Sequence, residues 1–144
     1  MSSIKRLVDT LDRFFNYNDS EWKLPAESLI DMSQLQNTLG DCFLATIHDG
    51  AYRFSYLGEN IIEALESSYY KADIEQLILP AEHEVIEKFN LAAISKKPLY
   101  SEGIFKNKNN IEIKYRMKIY PLTDIAGSDK VKYLFGGMRW KAEI

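Results

Sequence analysis

The sequence predicts an α+β fold in which helices flank a five-stranded antiparallel sheet. The chain opens with apolar residues at helical spacing, and five later segments have the alternation or the short apolar runs of strands. A helical stretch separates the second of these segments from the third. The last strand, at about residues 130–140, is apolar on both faces and therefore belongs in the middle of the sheet. We expect the strand order 2-1-5-4-3, with helices on one face and an N-terminal helical cap.

Length and composition fit one globular domain. The 144 residues are 46% hydrophobic and 27% charged, which is ordinary usage for a folded domain. We divide the chain into an N-terminal cap and dimerisation segment, residues 1–40, and a core, residues 41–144. A single cysteine forms no internal disulfide, and we find neither a signal peptide nor an apolar run of membrane-spanning length. The expected location is the cytoplasm.

The first 40 residues predict two helices. The apolar positions of the first helix are Ile4, Leu7, Val8, Leu11, Phe14 and Phe15, while charged residues lie mainly on its other side. A second, short helix begins with Asp31 or Ser33 as its N-cap and ends before Gly40.

The first two strands form a hairpin. The apolar run Cys42–Ile47 leads into Asp49-Gly50, a strong signal for a tight turn. The following segment, 51–57, alternates, and we expect it to place Tyr52, Phe54 and Tyr56 on one face.

The middle of the chain is predicted to be helical. Asn60 caps a short helix, and Asp73 with Gln76 resembles a capping box. A longer helix begins near Pro80 and ends near Lys96, with Phe89 among its buried residues.

The remaining strands cover about residues 99–105, 111–120 and 130–140. In the second of them Ile113, Tyr115 and Met117 share a dry face, and Lys114, Arg116 and Lys118 form a basic row on the other. This row has three candidate partners: Asp9 and Asp12 of the first helix, a protein, or nucleic acid. A pI near 5.4 makes nucleic acid the weakest of the three. Charge is uneven, at −8 for residues 1–102 and +5 for residues 103–144, and mutual neutralisation in the folded chain is the simplest interpretation.

Several stretches resemble the PAS domain superfamily, in particular a bacterial subgroup of small PAS proteins with an N-terminal helical cap. They are Leu24-Pro25-Ala26-Glu27, Leu39-Gly40-Asp41-Cys42-Phe43-Leu44, and Tyr52-Arg53-Phe54-Ser55-Tyr56-Leu57-Gly58-Glu59-Asn60-Ile61, together with Pro98 and Tyr120-Pro121-Leu122. The resemblance spans about residues 24–140. It implies the sheet order given above and a sensory or regulatory role through a ligand or a protein partner. Glu27 stands where the subgroup has a basic residue.

The resemblance also implies a pocket between the sheet and the middle helices. We predict that it is lined by Tyr56, Phe89, Tyr115, Met117 and Phe135, which suits a small organic ligand if the residues do not simply fill a core. The predicted cap and homodimer contacts are Leu7, Leu11, Phe14, Phe15 and Trp140.

Cofactor and catalytic signals are weak. A flavin photosensor of this superfamily needs a reactive cysteine on a helix facing the pocket, but Cys42 enters the first strand. A haem ligand could come only from His83, which two glutamates flank. No metal spacing or catalytic constellation is present. We therefore predict a non-catalytic sensor or regulator that signals through a protein partner. The alternatives are a small pocket enzyme of isomerase type and a ligand-free interaction module.

Overall fold

The chain folds as a five-stranded antiparallel sheet with helical segments on both faces. The structure is a computed structural model that describes residues 4–18, 21–65, 85–107 and 109–143. The strands are β1 (Cys42–His48), β2 (Ala51–Leu57), β3 (Leu99–Lys106), β4 (Glu112–Leu122) and β5 (Tyr133–Glu143). Their order across the sheet is β2-β1-β5-β4-β3. The predicted order and the central position of the last strand are confirmed.

The described helices are α1 (Ile4–Phe14), α2 (Glu59–Leu65) and α3 (Ile86–Ser95), with short 3-10 turns at Glu27–Leu29, Met32–Leu35 and Leu39–Asp41. The Asp31 side chain caps the second of these turns by accepting from the Ser33 backbone N–H. The predicted capping box at Asp73, the helix start at Pro80 and the haem candidate His83 lie outside the described residues.

Two apolar clusters occupy the two faces of the sheet. The inner cluster joins the sheet to α2 and α3, and the outer cluster joins it to α1 and the 3-10 turns. The N-terminal helix lies close to β5. The lack of a side chain at Gly137 permits this, since a Cβ added there would be 2.6 Å from the Leu11 Cδ1 atom. Leu7 and Leu11 are almost completely buried there. Because both faces of β5 are covered, this strand is apolar on both sides.

Candidate functional site: the two faces of the sheet

A small apolar cavity lies between the inner face of the sheet and helices α2 and α3. Its volume is about 20 Å³, close to the space that one water molecule needs. All of the described lining residues are apolar: Phe43, Phe54, Ile61, Leu65, Val85, Phe89, Phe105, Met117 and Met138. A small-molecule site is normally at least ten times larger.

Aromatic rings pack against one another beside this cavity. The Phe43 and Phe89 rings stack with centroids 5.3 Å apart, and the Phe54 and Tyr52 rings meet them edge-on. Gly136 lets the Phe43 ring lie directly on the sheet, since a Cβ there would be 2.3 Å from two ring carbons. In this arrangement the inner face has the packing of a protein core.

Three of the five predicted pocket residues reach this inner face. Phe89, Tyr115 and Met117 belong to the inner cluster, and Phe89 and Met117 line the cavity itself. Tyr115 contacts the cluster from the β3 side, where Gly103 makes room for its ring. The alternation of β4 therefore has the phase that the sequence predicts. Whether these residues bind a ligand stays a prediction.

Tyr56 lies on the opposite face from the one predicted. Leu44 pairs with Tyr56 and Ala45 with Phe54, so Ser55 is an extra residue in β2, a β-bulge. A bulge shifts the two-residue alternation by one position. Tyr56 therefore joins the outer cluster, where its hydroxyl donates to the Leu39 carbonyl at 2.8 Å.

Phe135 and Trp140 exchange the roles that the sequence suggests. Phe135 faces outward and meets the Phe15 ring at a centroid distance of 5.5 Å. Trp140 packs against the inner cluster and donates through Nε1 to the Asn60 carbonyl at 2.7 Å. Phe135 is thus a cap contact, and Trp140 helps to hold α2. The other predicted cap residues, Leu7, Leu11, Phe14 and Phe15, all lie in the outer cluster.

A polar network holds α1 to the outer face. The Asp12 carboxylate accepts from the Lys118 ammonium at 2.9 Å and from the Tyr120 hydroxyl at 2.5 Å. The Lys118 ammonium also lies 3.8 Å from the centre of the Tyr17 ring, a cation–π contact. Burial, reinforced by the bond to Asp12, raises the pKa of Tyr120 far above its ordinary value. The sequence analysis gives α1 as one of three candidate partners for the basic row. Lys118 of that row pairs with Asp12, and the tyrosine partners are not among the predictions.

A second network, which the sequence does not reveal, joins the start of β1 to α2 and β5. The Asp41 carboxylate accepts from the Asn60 side chain at 2.7 Å and pairs with the Arg139 guanidinium at 3.4 Å. Asp41 is only 8% exposed, so these partners compensate for the desolvation of its carboxylate.

Cys42 lies in the outer cluster, on the face away from the cavity. Its thiol is fully buried and donates to the Thr38 carbonyl at 3.2 Å. Burial raises the pKa of the thiol to about 12, so it stays protonated and unreactive at neutral pH.

The described residues bring no catalytic or metal-binding group to the cavity. Their buried charged side chains, Asp41 and Lys118, pair elsewhere, and no cluster of potential metal ligands occurs among the described residues. None of the helices in this part of the chain is long and apolar enough to cross a membrane.

This geometry is the PAS-like fold, and comparison with solved structures leads to the same class. Light-oxygen-voltage (LOV) domains, members of the PAS superfamily, match at low sequence identity. The blue-light photoreceptor Vivid matches with a TM-score of 0.55 and 14% identity, over 92% of this chain and 93% of its own. A LOV domain studied with a flavin analogue matches with a TM-score of 0.57 and 13% identity, over 81% and 86%.

The LOV domain of the blue-light-activated histidine kinase EL346 of Erythrobacter litoralis also matches. Its TM-score is 0.52 at 12% identity, over 71% of this chain and 95% of its own. No family model matches the sequence, and no curated protein matches it. The PAS-like fold is therefore shown, whereas no comparison supports the narrower bacterial subgroup.

The described cavity is too small for a flavin. Beside the stacked Phe43 and Phe89 rings it measures about 20 Å³, far less than a tricyclic ring system occupies. The lone thiol of the chain, Cys42, lies on the other side of the sheet. No photochemical step can be derived from this arrangement.

Proposed function

We propose that this chain is a non-catalytic regulatory domain of PAS type that acts by contact with a protein partner. One observation carries the proposal: the described aromatic side chains of the inner face pack against one another as a core, while part of the outer face stays exposed beside α1. The matches to LOV sensor domains support a sensory or regulatory role for the fold. The same proposal assigns the domain to the cytoplasm, since its lone cysteine is an inert buried thiol.

The N-terminal helix is the element that a partner could move. It is held by the apolar contacts of Leu7 and Leu11 on β5 and by the Asp12–Lys118–Tyr120 network. A partner that binds the sheet more tightly when α1 is docked, or when it is released, shifts the balance between these two arrangements. The size of the shift equals the difference between the two binding free energies.

A small-molecule sensor is the second candidate, and the apolar cavity favours it. Phe89 and Met117 line this cavity, as the sequence predicts for a ligand pocket. A ligand in this cavity would have to displace the Phe43–Phe89 stack, because the volume of the cavity admits little more than a water molecule. The isomerase-type alternative lacks support, since no described carboxylate points into the cavity.

Native mass spectrometry of freshly purified protein separates these candidates. A contact-only domain gives the mass of the polypeptide without a bound small molecule. A stoichiometric small molecule that dissociates on collisional activation would overturn this proposal in favour of the sensor. Phe89→Leu is a suitable companion variant, because it removes the stacked ring and enlarges the cavity, so a small molecule that binds there should be retained at least as well as by the wild-type chain.

We also propose the homodimer that the sequence predicts, but with fewer of the predicted contacts at its interface. Leu7 and Leu11 are buried against the chain's own sheet, so a dimer would rely on the half-buried Phe14 and Phe15 at the end of α1. Light scattering after size exclusion tests it: a monomer mass at every loading concentration contradicts the dimer.

A further inference from the structure

β3 is an edge strand of the sheet and can pair with another chain. It stands last in the order β2-β1-β5-β4-β3, and β4 is the one described strand with which it pairs. All eight residues of Leu99–Lys106 pair with β4 without a register shift. An edge strand turns a row of backbone N–H and C=O groups away from its neighbour, and this row is a template for a further strand.

The opposite edge of the sheet is less suited to pairing. β2 carries the β-bulge at Ser55, and a bulge is one of the devices that keep an edge from pairing with another chain. Between Leu99 and Lys106 there is neither a register shift nor a proline. Of the two edges, β3 is therefore the one that can accept a strand over its whole length.

The outer face of β3 carries an acid, an apolar residue and a base at alternate positions. They are Glu102, Ile104 and Lys106, and the Ile104 side chain is 49% exposed. Within the chain the Glu102 carboxylate lies 3.4 Å from the Arg116 guanidinium, and Lys106 stands opposite Glu112. Both of these neighbours belong to β4, and an exposed carboxylate or ammonium can hold a second partner at the same time. The side chains of β3 can thus also interact across its outer edge.

This order of side chains is complementary to itself. In an antiparallel pair, residues directly opposite each other share a face, and a two-fold axis relates the two copies of one strand. With the axis at Ile104, the two Ile104 side chains meet, and each Glu102 stands opposite Lys106 of the other copy. An axis at Glu102 would set two glutamates opposite each other, and an axis at Gly103 would set Glu102 opposite Ile104. The register centred on Ile104 therefore matches all three outer-face residues.

We propose that β3 pairs edge to edge with β3 of a second copy, antiparallel and centred on Ile104, so that one sheet continues across both copies. This goes beyond the proposed function and uses a surface separate from Phe14 and Phe15. A strand of another protein would need the same spacing of base, apolar residue and acid, which β3 itself already supplies. A contact of a few residue pairs is small, so the association is weak and depends on concentration.

Disulfide cross-linking tests the contact, because it traps a weak dimer. Ile104→Cys places one thiol of each copy at the axis, where paired Cα atoms lie about 4.5–5.5 Å apart, within reach of a disulfide. Oxidation with diamide should convert most of this variant into a covalent dimer, while the buried Cys42 stays unreactive. Tyr100→Cys is the matched control, because Tyr100 is similarly exposed on the same face, at 47%. In this register its two copies lie roughly 27 Å apart, so it should stay monomeric on a denaturing gel.

Charge reversal in the Ile104→Cys background tests the register. Glu102→Lys sets like charges opposite each other at both Glu102–Lys106 pairs and should slow cross-linking by about tenfold or more. Adding Lys106→Glu restores opposite charges between the copies and should bring the rate back to within about threefold, although it sets two acids opposite each other within the chain, at Lys106 and Glu112. Circular dichroism identifies any variant that is not folded.

Three results would overturn the proposal. Folded Ile104→Cys that gives no covalent dimer shows that the two edges do not meet. Cross-linking of Tyr100→Cys at the same rate assigns the dimer to random collision. A rate that Lys106→Glu fails to recover rejects the register centred on Ile104. Each of these leaves the contact through Phe14 and Phe15 and the binding of a protein partner untouched, since other measurements test them.

Discussion

Replacing Asp12 with asparagine is the most informative single change in this protein. Asp12→Asn keeps the shape of the side chain and an oxygen that can accept from the Tyr120 hydroxyl. It removes the negative charge that faces the Lys118 ammonium at 2.9 Å. The Lys118 side chain is only 9% exposed, so its charge would stay largely buried without a counter-charge.

The size of the expected loss in the free energy of unfolding follows from how deeply the Asp12–Lys118 ion pair is buried. Breaking a fully buried ion pair costs about 3–5 kcal/mol, whereas an exposed pair contributes at most about 1 kcal/mol. The Asp12 side chain is 27% exposed to solvent, and the Tyr17 ring still stabilises the Lys118 ammonium in the variant. We therefore expect Asp12→Asn to lower the free energy of unfolding by about 2–3 kcal/mol.

Urea unfolding followed by tryptophan fluorescence measures this change. Glu21→Gln is the matched control, because the Glu21–Lys23 pair is 3.6 Å long with both side chains mostly exposed, and its loss should cost less than about 0.5 kcal/mol. Lys118→Met alone and combined with Asp12→Asn completes a double-mutant cycle, in which we expect a coupling free energy of about 1.5–2.5 kcal/mol. An effect of Asp12→Asn no larger than that of Glu21→Gln would refute the reasoning.

Three further predictions concern stability. Gly58→Ala should cost about 3 kcal/mol, because a Cβ there lies 2.4 Å from carbonyl oxygens of the rigid backbone before β1. A Cβ at Gly137 lies 2.6 Å from the Leu11 side chain and 3.0 Å from that of Leu7, which can move, so Gly137→Ala should cost less; equal costs in urea would contradict this. Trp140→Phe should cost about 1–2 kcal/mol by leaving the Asn60 carbonyl without its donor, and an unchanged denaturation midpoint would argue against that bond. The folded thiol of Cys42 has its pKa raised from 9.0 to about 12, so the unfolded thiol ionises first, and stability present below pH 9 is lost as the pH rises towards 12. Cys42→Ala should flatten that decline in thermal melts, and a decline of the same slope would count against the assignment.

The strand order could be predicted from the sequence because strands packed on one face and strands packed on both faces differ in how their apolar residues are spaced. The last strand has apolar residues on both faces, which predicts a central position, and β4 alternates regularly from Ile113 to Ile119. The hairpin turn at Asp49-Gly50 and the apolar face of α1 follow equally simple rules. Interactions within one element or between neighbouring strands were thus accessible to pattern analysis.

The predictions from the sequence fail where the side of a residue depends on contacts that the alternation of its own strand does not encode. The bulge at Ser55 has no glycine or proline to signal it, so the alternation of β2 in the sequence wrongly places Tyr56 on the same face as Phe54. In β5 both faces are apolar, and nothing in the strand itself tells which face meets α1. The sequence pattern therefore places Phe135 and Trp140 on the wrong sides of the sheet. The Asp41–Asn60 hydrogen bond joins residues of two different elements, so no pattern within either element predicts it.

Hydrogen exchange of the backbone amides tests the central claim most directly, that β5 is a middle strand with α1 on one face and α2 and α3 on the other. The account predicts that amides of Leu134–Trp140 exchange only through global unfolding, more slowly than those of the edge strands β2 and β3. Exchange of β5 at the rate of an edge strand, or loss of its protection before that of β3 in mild denaturant, would contradict it.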